Sequence, residues 1–256
     1  MTPPTPLVGS SWRAWAAVFV TVTLALLAGG FWFYRVEAEE TYQQQYQALA
    51  AIAELKSGQI QLWRNERLAD ADRLARGPFE GKAVAAFLRE PGDRDNRADL
   101  RERLKLEQDE GLYHDVLLLA ADGHILLTTE AHPDPMNPAT RRAIAAALAS
   151  RKAVLSDLFK EPDGIVHIDA ASAVRDSDGR PLAVVVLRST AKTYLFPLVQ
   201  SWPTPSRSAE TLLVQREGEE VVYLNDLRHR SRISAGSLRF PLTRTNLPAV
   251  QAVLGT

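Results

Sequence analysis

Hydrophobic and polar positions along this chain follow three successive patterns. From Ala14 to Tyr34 there is no alternation: AWAAVFVTVTLALLAGGFWFY runs 21 residues without a charge, closed by Arg13 and Arg35. At about 1.5 Å of rise per residue such a helix reaches about 31 Å, matching a bilayer's hydrocarbon core. Trp12 and Trp15 at one end, and Phe31, Trp32, Phe33 and Tyr34 at the other, stand where interfacial aromatic belts lie. A cleaved signal peptide has a shorter apolar region and small residues at its exit. The run is therefore read as an uncleaved signal anchor, 14–34, behind a tail of residues 1–13 that opens with the Pro/Thr/Ser-rich, disorder-type stretch MTPPTPLVGSS.

From Val36 the pattern becomes helical. Up to Arg76 there is no proline and one glycine, Gly58. Leu49, Ala53, Ile60, Trp63, Ala71 and Leu74 fall on one stripe at roughly 100° per residue, which predicts one long amphipathic helix over 35–76. Gly77-Pro78 ends it. Lys56 and Arg67 lie in the same stripe; their stems are expected to cover apolar surface while the charges reach water, the alternative being that Arg67 holds an acidic group.

Between 77 and 190 helical and strand periods alternate. Lys82–Arg89 and Arg97–Gln108 read as helices separated by Glu90-Pro91-Gly92-Asp93, the second with a solvated, charge-dense face. At Tyr113 the period shortens to two. HDVLLLA and HILLTTE flank Ala121-Asp122-Gly123, a strong hairpin signal. Pro133, Pro135 and Pro138 mark a loop, Ala139–Ser150 a short helix and Ala153–Leu155 a short strand. Gly164–Val174 and Pro181–Thr190 are two strands joined by residues 175–180. Helix, hairpin, helix and further strands describe an α+β fold, an antiparallel sheet with helices on one side.

Residues 191–210 read as a linker in which Pro197, Pro203 and Pro205 preclude regular structure. Thr211–Asn225 (TLLVQREGEEVVYLN) then repeats the pattern of Val116–Thr129 (VLLLAADGHILLTT), again followed by a proline-bearing loop and a short helix, Asn246–Leu254. Two copies of one module are expected, the second, 211–256, ending before the strands that would close its sheet.

Charge sets the orientation. Arg13 stands before the span with no acid, whereas Glu37, Glu39 and Glu40 follow it, so the tail is expected in the cytoplasm and residues 35–256 outside a bacterial inner membrane. A net charge of -1 offers no basic face for nucleic acid. The absence of cysteine removes disulfides, thiol nucleophiles and Cys-based metal sites. No GxSxG, HExxH, P-loop or GxGxxG occurs, and neither an enzyme activity nor a cofactor is expected. Glu130, His132 and Asp134 lack a second ligand pair, which argues against a metal.

One constellation remains. If the two long strands form a hairpin centred on Ser177-Asp178, His167 stands opposite Arg188 and Asp169 opposite Val186, all on one face. A His, an Asp and an Arg so placed can hold an amino acid or a small carboxylate, with Arg188 gripping the anion; a cross-strand ion pair on a solvated face is the plain alternative. Tyr113 and Asp115 on a neighbouring strand would complete the pocket.

The helix segment ELKSGQIQLWRNERLADADRL (Glu54–Leu74), the hairpin at Asp122-Gly123, PLVQSWPTPSRSAETLLV (Pro197–Val214) and VVYLNDLRH (Val221–His229), all behind a membrane span, resemble the double-Cache sensor regions of bacterial histidine kinases, diguanylate cyclases and chemoreceptors. The resemblance covers nearly all of 14–256. It implies two PAS-like Cache modules, a membrane-distal one at 77–190 and an incomplete membrane-proximal one at 211–256, in a homodimeric receptor. A small molecule would bind the distal module, and helix 35–76 would relay the signal to a cytoplasmic kinase or cyclase outside this sequence. The Tyr/Arg/Trp/Asp pattern of amino-acid-binding members has no placed counterpart here, which leaves the ligand open. Two other readings stay beside it: a ligand-free anchor or dimerisation module, and a membrane-anchored hydrolase.

Overall fold

The computed structural model describes residues 11–77, 81–111, 113–130, 136–162, 164–203, 206–207, 209–225, 227 and 236–255. The chain forms two compact units, residues 1–55 and 56–256. Helix α1 (Ser11–Arg76) runs without interruption past Arg35.

In the first unit α1 is the sole element among the described residues. Its apolar side chains face outward: Trp15 and Phe19 are each 72% exposed, and Phe31–Tyr34 are exposed throughout. It is long and apolar enough to cross a membrane. Leu49 and Ala53, expected within the buried stripe, are exposed as well, because no described element of this unit packs against them.

In the second unit the end of α1 becomes a core element, burying Trp63, Ala71, Leu74 and Ala75. Two helices follow, α2 (Gly81–Arg89) and α3 (Arg94–Gly111), where Asp93 Oδ1 caps α3 by accepting from the amides of Asp95 and Asn96 at 3.0 and 3.3 Å. The charged face of α3 is mostly solvated, with one exception: Glu107 is buried and accepts from Arg73 of α1. The first sheet comprises β1 (Asp115–Ala120), β2 (Ile125–Thr128), β3 (Val154–Leu155), β4 (Phe159–Lys160), β5 (Val166–Arg175) and β6 (Pro181–Thr190). Its order is β2-β1-β6-β5-β3, with β4 also on β5, and every pairing is antiparallel. Gly123, at φ +90°, makes the turn between β1 and β2 as its Asp-Gly signal requires. Helix α4 (Pro138–Ala149) starts at Asn137, whose side chain accepts from the Ala139 amide, with Pro138 in the first turn where no amide is needed.

The fold is α+β, but the helices cover both faces of the sheet rather than one. Val116, Leu118, Val185 and Leu187 pack with α1, α2 and α3, while Leu117, Leu119, Val184 and Val186 pack with α4. A run such as AVVVL in β6 is apolar at every position, so each face needs its own cover.

The β5–β6 register also differs from expectation. Asp169 pairs with Arg188 and His167 with Thr190. The turn explains the shift: Asp176 Oδ1 accepts from the amides of Asp178 and Arg180 at 2.9 and 2.8 Å, and Gly179 takes φ +79°. A three-residue loop with a left-handed glycine and a bulge at Val174/Arg175 therefore replaces a hairpin centred on Ser177-Asp178.

The proposed linker contains regular structure too. Helix α5 (Leu195–Gln200) includes Pro197 in its first turn, where a missing amide costs no hydrogen bond. The C-terminal carbonyls of α5 receive the ammonium of Lys56, which donates to Leu198 O at 2.7 Å, Val199 O at 3.2 Å and Ser201 O. The charge of Lys56 is thus buried rather than carried to water, and burial lowers its pKa below the ordinary 10.5. Arg67 does hold an acid: its guanidinium lies 3.4 Å from Asp70 and stacks over the Tyr113 ring at 4.9 Å.

A second antiparallel sheet, β7 (Val214–Glu217), β8 (Glu220–Tyr223) and β9 (Arg239–Pro241), packs with α6 (Pro248–Leu254) around Val221, Tyr223, Leu242 and Val250. The β7–β8 hairpin turns at Gly218, φ +60°, as β1–β2 turns at Gly123. Strand β9 was not anticipated from the sequence.

Candidate functional site

On the α4 face of the first sheet the strands change character along their length. Leu117, Leu119, Ala171, Val184 and Val186 sit under α4, and beyond them come Asp115, His167, Asp169 and Arg188. Side-chain alternation puts all nine on one side. The ionic part is fully enclosed: Asp169 is 0% exposed, Asp115 2%, Arg188 3% and Glu161 5%.

Arg188 is the hub. Its Nε and Nη2 donate to Asp169 Oδ1 and Oδ2 at 3.0 and 3.1 Å, a bidentate fork, and Nη1 donates to Glu161 Oε1 at 2.9 Å. Burial opposes the charge, but the hydrogen bond with Asp169 and the attraction of Asp169, Glu161 and Asp115 outweigh it and hold the guanidinium pKa above its ordinary value. The guanidinium also faces the Phe159 ring at 5.4 Å.

Asp169 is held from further directions: Thr140 Oγ1 of α4 donates to its Oδ2 at 2.6 Å, and its amide donates to Ser156 Oγ at 3.0 Å. Asp115 accepts from Thr128 Oγ1, Thr129 Oγ1 and the amides of Thr129 and Glu130 at 2.7–3.2 Å, so the β1–β2 hairpin wraps its carboxylate. Glu161 arrives from a tight turn after β4, closed by Glu161 N donating to Ile165 O at 3.0 Å and made possible by Gly164 at φ +90°. His167 stacks on Phe159 and meets His114 at a tilt, with ring centroids at 5.9 and 4.9 Å, and its Nε2 lies 3.8 Å from Glu161 Oε2. His114 and Glu130 pair at 3.3 Å, and their side chains are 32% and 31% exposed, so these two neighbours of the enclosed cluster reach solvent.

The structure therefore brings His167, Asp169, Arg188 and Asp115 together. Tyr113 goes elsewhere. It lies with the α1-side cluster and donates to Asp70 Oδ2 of α1 at 2.6 Å, because it precedes β1 and escapes the alternation of the strand. Glu161 and Thr140 were missed; β4 is too short to show a period, and Thr140 looks like any small residue on a helix. His132 and Asp134 lie outside the described residues, and among the described residues no group of His, Asp or Glu is arranged to hold a metal ion.

No protein-family model matches this chain, and no curated protein does. Solved structures do. The sensory domain of the Campylobacter jejuni chemoreceptor Tlp3 aligns over 71% of this chain and 88% of its own, with a TM-score of 0.51 at 11% identity. The ligand-binding domain of the Pseudomonas aeruginosa amino-acid chemoreceptor PctC, solved with GABA, aligns over 60% of this chain at TM-score 0.46 and 22% identity. That of the Pseudomonas fluorescens chemoreceptor CtaA, solved with L-isoleucine, aligns over 57% at TM-score 0.43 and 20% identity. The chain spans 64% and 56% of those two Pseudomonas domains. The likeness to Tlp3 concerns the fold: the chain shares the α+β architecture of that chemoreceptor's sensory domain.

Proposed function

We propose that this chain is the ligand-sensing region of a membrane-anchored receptor rather than an enzyme, and that residues 77–190 bind a small molecule bearing a cationic amine, such as an amino acid. One observation carries the ligand class. The enclosed cluster sets three carboxylates, Asp115, Glu161 and Asp169, against one guanidinium, Arg188, with the His167 ring 3.8 Å from Glu161. The threonines and amides around Asp115 solvate it but bring no charge. A buried excess of carboxylate favours an incoming cation, and an ammonium entering past His114 and Glu130 supplies one. A carboxylate alone would add a fourth anion.

In this reading 14–34 anchors the chain in the inner membrane, 35–256 is extracytoplasmic, 191–210 links the distal module to a second one at 211–256, and two copies pair as a homodimer. Ligand closure biases the position of α1, which hands the change to a cytoplasmic kinase or cyclase beyond this sequence. Support comes from the uncharged apolar stretch, the acid-rich flank after it and the shared sensory-domain fold.

A second reading has its own support. Arg188 is already engaged by Asp169 and Glu161, as an internal brace in a ligand-free anchor would be. Thermal unfolding of the full chain in nanodiscs separates the two. At a hundred times its Kd an amine-bearing ligand adds about 2.7 kcal/mol of stability. Asp169→Asn should abolish the gain, and deaminated analogues should give none. Stabilisation by carboxylates without an amine would overturn the ligand class; a null result across amino acids and amines would favour the anchor.

A further inference from the structure

On the opposite side of the first sheet lies a concavity of about 800 Å³ that the amine reading does not use. It is bounded by the last turn of α1, the start of α2, the corner after α4 and the β5–β6 turn. Its walls are basic. Arg76, Lys82, Arg89, Arg151 and Arg175 line it, against two carboxylates, Asp72 and Asp176.

Both acids are committed locally. Asp72 accepts from Ser172 Oγ at 2.8 Å, and Asp176 Oδ1 accepts from the two amides of its own turn. Arg175 is equally committed, donating to the carbonyls of Leu148 and Gly179 at 3.0 and 3.1 Å as it closes the end of α4. Arg76 reaches the Arg151 carbonyl at 3.3 Å and lies 3.7 Å from Asp72. Lys82, Arg89 and Arg151 are exposed and have no acid within ion-pair reach among the described residues. These cations come from separate elements and converge on one hollow floored by Ala75, Ala85 and Ala173. The hollow is also pinned in place: a Cβ at Gly81 would sit 2.1 Å from the Arg175 carbonyl, so α2 meets the end of β5 too closely for any other residue.

We propose that this groove binds a small organic or inorganic anion carrying two or more carboxylate or phosphate groups, at a site separate from the Asp169 cluster. The volume falls in the range of small-molecule pockets, and converging cations from several elements suit a compact polyanion better than a flat protein surface. The two sites carry opposite signs, so one chain would read an amine on one face of the sheet and a polyanion on the other.

The test is calorimetric titration of the full chain in nanodiscs with citrate, pyrophosphate and, as a monovalent control, acetate. Citrate or pyrophosphate should bind saturably and more tightly than acetate, and the preferred probe distinguishes carboxylate from phosphate recognition. Lys82→Gln with Arg151→Gln should weaken the tighter probe about tenfold or more, since each removes a charged hydrogen-bond donor. Arg89→Gln alone should weaken it less. All three positions are exposed, so the melting temperature without probe should hold. Absence of saturable binding, equal binding of acetate, or unchanged affinity in the double variant would overturn the proposal. None of these outcomes depends on Asp169→Asn, which leaves the groove intact.

Discussion

One face of the six-stranded sheet is apolar over most of its length: Val116, Leu118, Ala170, Val174, Val185 and Leu187 pack with α1–α3, with Ser172 among them bonded to Asp72 of α1. The other face, built from the alternate residues of the same strands, is apolar only under α4 and turns ionic at Asp115, His167, Asp169 and Arg188. The packed parts of the two faces rest on different physics. On the first, stability follows from area removed from water and close packing. On the second, it follows from each charge having the right partner, and losing one partner strands the rest.

The sharpest way to break this contrast is Asp169→Ala. It leaves Arg188 without its fork and Thr140 without its acceptor inside a dry site, and should cost about 3–5 kcal/mol in denaturant unfolding. Replacing Asp169, Glu161 and Arg188 together by Leu, Gln and Met should cost less than that single change, because no guanidinium is then stranded and Asp115 keeps the hydroxyls and amides that solvate it. If the triple variant is the worse of the two, the cluster is not governed by charge pairing.

Next comes Leu187→Ala, the apolar counterpart one residue away. It should cost about 2–5 kcal/mol while leaving the amine response at the other face in place. Loss of that response at intact fold would show that the two faces do not act separately.

The smallest effect concerns the polar foothold on the apolar side. Tyr113→Phe removes the bond to Asp70 and should cost about 1 kcal/mol. Burial, and then that bond, hold the phenol's pKa above its ordinary 10.0. The unfolded chain therefore releases this proton before the folded one does, so stability is undisturbed below about pH 10 and falls as pH rises beyond it. Tyr113→Phe should remove this residue's part of that decline, read as a flatter unfolding free energy above about pH 10.

How far these features could be read from the sequence depends on their range. The long apolar helix, α2, α3, α4 and the two hairpins follow from local periodicity and from glycine and proline placement. Asp169 meets Arg188 rather than Val186, two residues along β6, because Asp176 organises its own turn through side-chain acceptance, which a symmetric hairpin does not foresee. Pro197 was read as a breaker although its position within a helix, rather than its presence, decides the matter. Glu161 belongs to a turn after a two-residue strand, and only the folded chain brings it to Arg188, 27 residues away. In each case the missing information is tertiary.

Lys56 illustrates the same point at greater distance. Its ammonium ties α1 to the end of α5 across 142 residues of sequence, docking on carbonyl oxygens that α5 cannot satisfy itself. That tether, together with Trp63 packing on Leu195 and Val199, gives the long helix a direct hold on α5. An arginine here would bring a flat fork to a site shaped for a point charge, and methionine would let go of it altogether.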